Sequence, residues 1–243
     1  MKTLILIPAR MASTRLPNKP LVIIDGKPMI QRVWEKAKSS GVGDVVVACS
    51  ENEVFDIITS LGGKAILTDP NIPSGTDRIF QATLRLDNID EYESIINLQG
   101  DLPLIDPSDI NKVNIPIEQG FDMGTIVTDL TLEQQKDINV TKAKVRWIKK
   151  NIIGEAYDFF KSIVNSKKNE YHHVGIYSFR YESLKKFTSM QPSKNEIFHK
   201  LEQWRALDNN MNIGTSYVKN VPISVDTKDD LLIIEKILKN EQN

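Results

Sequence analysis

The chain has 243 residues, with 31 Lys and Arg against 32 Asp and Glu and a formal net charge of −1. Its 40% apolar and 26% charged residues are the proportions of a folded soluble protein and exclude a largely disordered chain, which would be less apolar and more one-sided in charge. The balanced charge also argues against a surface committed to nucleic acid, and the length suits one large α/β domain or two small ones.

In chain order, residues 3–7 read as a buried strand. The apolar run stops at Pro8 and Arg10, too short for a signal-peptide core or a bilayer span, and no later stretch approaches ~20 apolar residues. Ile30, Val33, Trp34 and Ala37 fall at the spacing of one helix face and predict a helix over 28–40, closed by Gly41 and Gly43. A strand at 44–49 follows. Val54, Ile57, Ile58 and Leu61 mark a second helix that Gly62-Gly63 ends. Then come a strand at 64–68, a helix at 77–86 and a strand at 93–98. The second half is less regular: strands at 122–128, 142–148 and 173–180, a polar loop at 166–170 and a short helix at 181–188. Beyond these lie one helix over 196–209, strand material between 213 and 225, and a closing helix at 227–238. Cys49 is the only cysteine, so no intrachain disulfide is possible and a cytoplasmic location is expected. Neither repeats nor low-complexity tracts are present.

Alternating strands and helices predict a mostly parallel central sheet with right-handed crossovers and helices on both faces. Ligands bind such sheets outside the carboxyl ends of the strands, which directs attention to the loops after residues 7, 68 and 98. The first of these carries Arg10, Arg15 and Lys19, and residues 1–24 contain no carboxylate. Arginine forks two phosphate oxygens and lysine adds a compact charge, so the loop suits a polyphosphate; a solvated basic loop is the plainer reading. Neither a Walker loop nor a dinucleotide glycine fingerprint is present. In the second loop, Ser74-Gly75-Thr76-Asp77-Arg78 is either an N-cap or a backbone grip on a base or sugar. The third, Asn97-Leu98-Gln99-Gly100-Asp101-Leu102-Pro103, offers a carboxylate suited to Mg²⁺ beside phosphates. Asp226 is another candidate, although Thr227 and Asp230 form a capping-box pattern directly after it. His172, His173 and His199 lack metal-ligand spacing. Trp34, Trp204 and Cys49 read as packing residues, and Glu235, Lys236 and Lys239 as a solvated helix face.

Together these segments resemble the 3-deoxy-manno-octulosonate (Kdo) cytidylyltransferases, over nearly the whole chain. Residues 7–21, IPARMASTRLPNKPL, are similar to that family's IPARxxSTRLPGKPL. Ser74–Arg78 matches its SGTDR, and Asn97–Pro103 resembles its N-[VL]-Q-G-D-x-P. His173–Arg180, Leu201–Leu207 (LEQWRAL) and Val225-Asp226-Thr227 resemble three further family motifs in the same order. Four positions depart from the pattern. Asn18 stands for a glycine, Leu102 for a glutamate, Lys161 for an arginine and His199 for a glutamate.

The resemblance implies a three-layer, Rossmann-like α/β nucleotidyltransferase fold: a single domain over 1–243, with a small dimerisation subdomain near 142–180 and a homodimer. It implies transfer of CMP from CTP to the anomeric hydroxyl of Kdo, an acidic eight-carbon sugar, or of a relative such as its 8-amino form. Pyrophosphate is released, and the product serves lipopolysaccharide synthesis. A sialic-acid-like sugar, or a binder without turnover, are the alternatives. Arg10, Arg15 and Lys19 are implied for the phosphates, and Pro8, Ala9, Ser74, Gly75, Arg78 and Gln99 for the nucleotide. Asp101 and Asp226 are implied for Mg²⁺. Gln99, Lys144, Lys161, His173, Tyr177, Glu202 and Gln203 are implied for the sugar. Neither nucleic-acid binding nor membrane insertion is expected.

Overall fold

The computed structural model describes residues 1–13, 15–162 and 169–241 and contains two compact units. Thr14 and residues 163–168, including most of the expected loop at 166–170, lie outside the described residues.

The first unit takes residues 1–92, 97–110 and the chain from Pro222 on. It opens with β1 (Thr3–Ala9), β2 (Ile23–Ile24), β3 (Lys27–Pro28), α1 (Met29–Ser39), β4 (Asp44–Cys49), α2 (Asn52–Ser60), β5 (Lys64–Leu67) and α3 (Gly75–Thr83). Strand β1 pairs parallel with β4, and β4 parallel with β5, as alternating strands and helices require. Leu4–Ile7 and Val46–Cys49 are buried on both faces of the sheet, which is why these strands read as continuous apolar runs. Helix α1 buries Ile30, Val33, Trp34 and Ala37, the four residues its spacing selected. Gly41, at φ +64°, supplies the left-handed residue that follows the helix. Helix α3 starts two residues before the expected 77, because Ser74 is its N-cap.

The chain crosses between the units within β6 (Ser94–Asn97) and α4 (Pro107–Lys112). The second unit continues with α5 (Ile115–Glu118), β7 (Met123–Thr128), α6 (Leu132–Lys136), β8 (Lys142–Lys149), β9 (Ile153–Phe160), β10 (Glu170–Phe179), α7 (Tyr181–Ser189), α8 (Lys194–His199), α9 (Gln203–Asp208) and β11 (Ile213–Tyr217). Here the expectation of a mostly parallel sheet fails. Among the described residues, β7 pairs parallel with β11, whereas β7–β10, β8–β10, β9–β11 and β8–β9 are antiparallel. The pairings β10–β7–β11–β9–β8 return to β10 and close a circuit. The reason is local. Strands β8 and β9 are joined by a tight turn in which Ile152 N–H donates to the Lys149 carbonyl at 3.0 Å and Asn151 sits at φ +58°. A connection that short permits only an antiparallel hairpin.

The expected helix over 196–209 is two helices, broken where Lys200 adopts φ +55°. Ile197, which shares the helical spacing of Leu201 and Trp204, is exposed. Strand β11 stops at Tyr217 rather than continuing towards 225, and β10 begins at Glu170, inside the expected loop.

The last helix, α10 (Lys228–Glu241), belongs to the first unit. Its Ile234 packs with Leu16, Ile24, Met29 and Val225 in one buried cluster. That cluster ties the basic loop after β1 to the segment ahead of α10. Among the described residues, no helix is long and apolar enough to cross a membrane.

Candidate active site

The basic loop leaves β1 at Ala9 and ends in a 3₁₀ turn, Lys19–Leu21. Asn18 precedes that turn at φ +55°, so asparagine serves in the left-handed conformation where glycine is commoner. Burial of Leu16 against Val225 brings the loop to Asp226. Lys19 Nζ donates to Asp101 Oδ2 at 2.8 Å and to Asp226 Oδ1 at 2.7 Å, and Arg15 Nη2 lies 3.2 Å from Asp226 Oδ2. One ammonium therefore touches two carboxylates that stand 125 positions apart in the sequence.

The carboxylates sit on tethered backbone. Val225 N–H donates to the Asp101 carbonyl at 2.9 Å. The amides of Asp226 and Thr227 donate to Asp230 Oδ2 at 3.0 and 2.8 Å, and Asp230 N–H donates to Thr227 Oγ1 at 3.3 Å. The capping box read after Asp226 is real, and it holds Asp226 in place. Burial opposes the charge on Lys19, but the Asp101 and Asp226 carboxylates outweigh it and hold its pKa above the ordinary lysine value. Burial likewise opposes the charge on Asp226, and Lys19 with Arg15 overcomes it, holding the carboxyl below its usual range.

A cleft of about 380 Å³ adjoins this cluster, bordered by Pro8, Ala9, Arg10, Arg15, Lys19, Gly75, Arg78, Gln99, Asp101 and Asp226. Most of the residues assigned to the nucleotide thus line one cavity. Gly75 forms a wall: a Cβ there would lie 3.2 Å from Pro8 Cγ and 3.3 Å from Gln99 Oε1. Gln99 is aimed by a relay, its Nε2 donating to Asn97 Oδ1 at 2.9 Å while Asn97 Nδ2 donates to Thr76 Oγ1 at 3.1 Å. Ser74 is engaged with Asp77, accepting from its amide at 3.0 Å and donating to its carboxylate at 2.8 Å. The Arg78 guanidinium is almost wholly buried and donates to Thr68 Oγ1 at 2.6 Å and the Asp69 carbonyl at 3.2 Å, so it shapes the cleft floor. Arg10 reaches the Pro73 carbonyl at 3.4 Å and is otherwise exposed.

The second unit holds a polar cluster of its own. His173 Nε2 lies 3.0 Å from Thr125 Oγ1, whose hydroxyl donates to the Ile176 carbonyl at 2.9 Å. A hydroxyl carries one proton, so His173 presents Nε2–H and keeps Nδ1 as an acceptor. Gln203 Nε2 lies 3.4 Å from that Nδ1 and donates to the Tyr177 hydroxyl at 2.5 Å. Burial, with His172 beside it, pushes the His173 pKa down to about 3. Burial and then Glu202 push the Tyr177 phenol up, so both rings are neutral. Gln203 Oε1 is buried without a hydrogen-bond partner, which leaves an acceptor available in the cluster. Glu202 occupies the N-cap position of α9, next to Gln203. Lys144 pairs with Asp158 at 2.7 Å and lies over the Phe160 ring, and Lys161 follows directly after β9.

With this geometry in view, comparison with known proteins is specific. The family model described as cytidylyltransferase matches residues 4–213. The 3-deoxy-manno-octulosonate cytidylyltransferase of Paramagnetospirillum magneticum is 45% identical over 97% of both chains. That of Rhodospirillum rubrum is 41% identical over 94% of this chain and 92% of the relative. This chain belongs to the 3-deoxy-manno-octulosonate cytidylyltransferase family. A solved CMP:2-keto-3-deoxy-manno-octonic acid synthetase, complexed with CTP, superposes with a TM-score of 0.88 at 32% identity, covering 99% of this chain and all of the other. An apo UDP-glucose pyrophosphorylase shares the fold alone, with a TM-score of 0.73 at 15% identity.

Within this cytidylyltransferase chain, the motifs quoted from the sequence supply most of the cleft lining. The supports of these residues are not evident from the sequence. Thr76 and Asn97 orient Gln99, and Thr125 fixes the tautomer of His173. Thr76 and Asn97 lay inside quoted motifs, so their signal was present without a role attached. Thr125 sits in the middle of a buried strand and carries no local signal.

Proposed function

We infer that the protein transfers CMP from CTP to the anomeric hydroxyl of 3-deoxy-manno-octulosonate, releasing pyrophosphate and supplying the activated sugar for lipopolysaccharide synthesis. The observation that carries this reading is the convergence of Lys19, Arg15, Asp101 and Asp226 beside a nucleotide-sized cleft, in a chain related along nearly its full length to enzymes of that name.

Arg10, Arg15 and Lys19 bind the triphosphate. They offset the repulsion between two anionic substrates, and their charge counts for more in a cleft that limits water. Pro8, Ala9, Ser74, Gly75 and Gln99 bind the nucleoside against a close backbone wall, with Arg78 rigidifying the floor beneath it. His173, Tyr177, Glu202 and Gln203, with Lys144 and Lys161, take the sugar. The neutral His173 and Tyr177 orient its hydroxyls without adding charge.

Asp101 and Asp226 hold Mg²⁺. Among the described residues, no group of three or more His, Cys, Asp or Glu is placed to bind a metal. A pair of carboxylates that one cation already bridges nevertheless suits Mg²⁺, which takes one or two carboxylates and completes its shell with water and substrate phosphates. When bound, the ion supplies charge neutralisation at the phosphates and acidifies the attacking hydroxyl. The chain's own residues position the α-phosphorus and the hydroxyl, and no covalent enzyme intermediate is needed. We further propose a cytoplasmic homodimer, with residues 142–180 contributing its contact within a single nucleotidyltransferase domain, and with neither nucleic-acid nor membrane partners.

Pyrophosphate release from CTP and Mg²⁺ with separate Kdo, 8-amino-Kdo and sialic acid tests the assignment. Turnover with Kdo or its 8-amino form is expected. Turnover with sialic acid alone, or none despite CTP binding, would overturn it.

A further inference from the structure

Lys19 occupies the space the reading above gives to a metal ion. Its ammonium donates to Asp101 Oδ2 at 2.8 Å and Asp226 Oδ1 at 2.7 Å, and its side chain is only 15% exposed. The carboxylates keep their places through backbone bonds that do not involve Lys19: Val225 to Asp101, and the capping box of Thr227 and Asp230. The pair is thus preformed, and the lysine is its resident counter-ion. Two adjacent carboxylates without a cation repel one another. A flexible four-carbon stem ending in a point charge can leave, whereas the backbone-tethered acids cannot.

We propose that Lys19 is an internal placeholder for the divalent cation, which gates the metal site so that it opens when the nucleotide's phosphates draw the ammonium away. This rests on the assignment of Asp101 and Asp226 to the metal. In the nucleotide-free protein, an incoming ion must displace an ammonium held by two short hydrogen bonds, so free-ion affinity is suppressed. A triphosphate offers Lys19 a competing set of anionic oxygens and releases both carboxylates together. Nucleotide and ion then bind with positive coupling, and the coupling is reciprocal by linkage. Arg15 cannot substitute fully: it touches only Asp226, at 3.2 Å, and its side chain is 62% exposed. The device keeps a strong cation site from filling before its substrate arrives.

The test is Mn²⁺ binding to the nucleotide-free protein, followed by electron paramagnetic resonance and by calorimetry, in wild type, Lys19→Met and Lys19→Gln. Both variants are expected to bind one Mn²⁺ at least tenfold more tightly than wild type, and adding Asp101→Asn to either should abolish that gain. Circular dichroism checks that each variant is folded, and the polar Lys19→Gln guards against a packing defect in Lys19→Met. Equal Mn²⁺ affinity in wild type and variants would overturn the gate while leaving the metal site standing. A gain that survives Asp101→Asn would overturn it too, because the ion would then lie elsewhere. If no protein binds Mn²⁺ even with CTP present, the metal assignment fails and the gate with it.

Discussion

At Gly100 a side chain has no room: an added Cβ would lie 2.8 Å from the Pro8 carbonyl oxygen. The glycine in Gln99-Gly100-Asp101 is therefore set by backbone approaching backbone, and it lets Asp101 follow the strand directly into the cleft. Gly100→Ala should destabilise the protein by ~1–3 kcal/mol, read as a lower thermal midpoint; an unchanged midpoint would show that the backbone relaxes freely. Asp101 carries a different burden. Its replacement by Asn removes a charge facing Lys19 and one proposed metal contact, so turnover should fall by at least about 10²-fold with the circular dichroism spectrum preserved. Full activity would remove Asp101 from the site. Cys49 is buried, and burial, with Glu51 secondary, pushes its thiol up to about 12. It should resist iodoacetamide in the native protein and react only on unfolding, as a packing residue does. At this scale the sequence revealed charged and glycine positions well, because their chemistry is rare and local. It concealed Lys19's partners, since the contacts to Asp101 and Asp226 exist only once the chain has folded.

The two short helices α8 and α9 show how an element can be locked by polar groups instead of an apolar stripe. Arg205 forks Glu196 with bonds of 2.8 and 2.6 Å, both side chains buried, and Glu196 also completes the capping box with Ser193. Arg205 in addition lies over the Phe187 ring. Arg205→Ala leaves a buried carboxylate without its partner and should cost about 3–5 kcal/mol. Combining it with Glu196→Gln should cost less than the two single changes added together, by denaturant unfolding; strict additivity would contradict the coupling. The break between the helices was hidden in the sequence because lysine is an unusual residue at φ +55° and the 3.6-residue spacing runs on across it. The start of α8 is legible in the sequence, where Ser193 and Glu196 have the spacing of a capping box. Strand β9 is hidden in the sequence for another reason. Tyr157 is an extra residue in its pairing, since Lys144 faces Asp158 while Val145 faces Ala156, and this resets the alternation that marks a strand. The first unit was readable because β1 and most of β4 are buried on both faces and α1 and α2 are followed by Gly41 and Gly62 in left-handed conformations.

Across the whole molecule, two adjacent histidines link folding to pH. Burial first, then Lys142, pushes His172 down to about 4, and burial with His172 pushes His173 to about 3. In the unfolded chain both titrate near 6.5. Between those values the unfolded state binds more protons, so stability is full above about pH 6.5 and is lost as pH falls towards the folded-state values. The thermal midpoint should therefore drop on acidification below pH 6.5, and replacing both histidines by Gln should flatten that dependence; an unaltered slope would assign acid sensitivity to other groups. Sedimentation should show a dimer, and a monomer at micromolar concentration would contradict the proposed contact through 142–180. In the proposed substrate complex, the cationic loop and the paired carboxylates meet around CTP and one divalent ion. The most direct test is a crystal structure with CTP and Mn²⁺, the ion located by anomalous scattering. The expected peak lies between Asp101 and Asp226, with Arg10, Arg15 and Lys19 on the triphosphate; an ion remote from both carboxylates, or phosphates bound away from that loop, would contradict it.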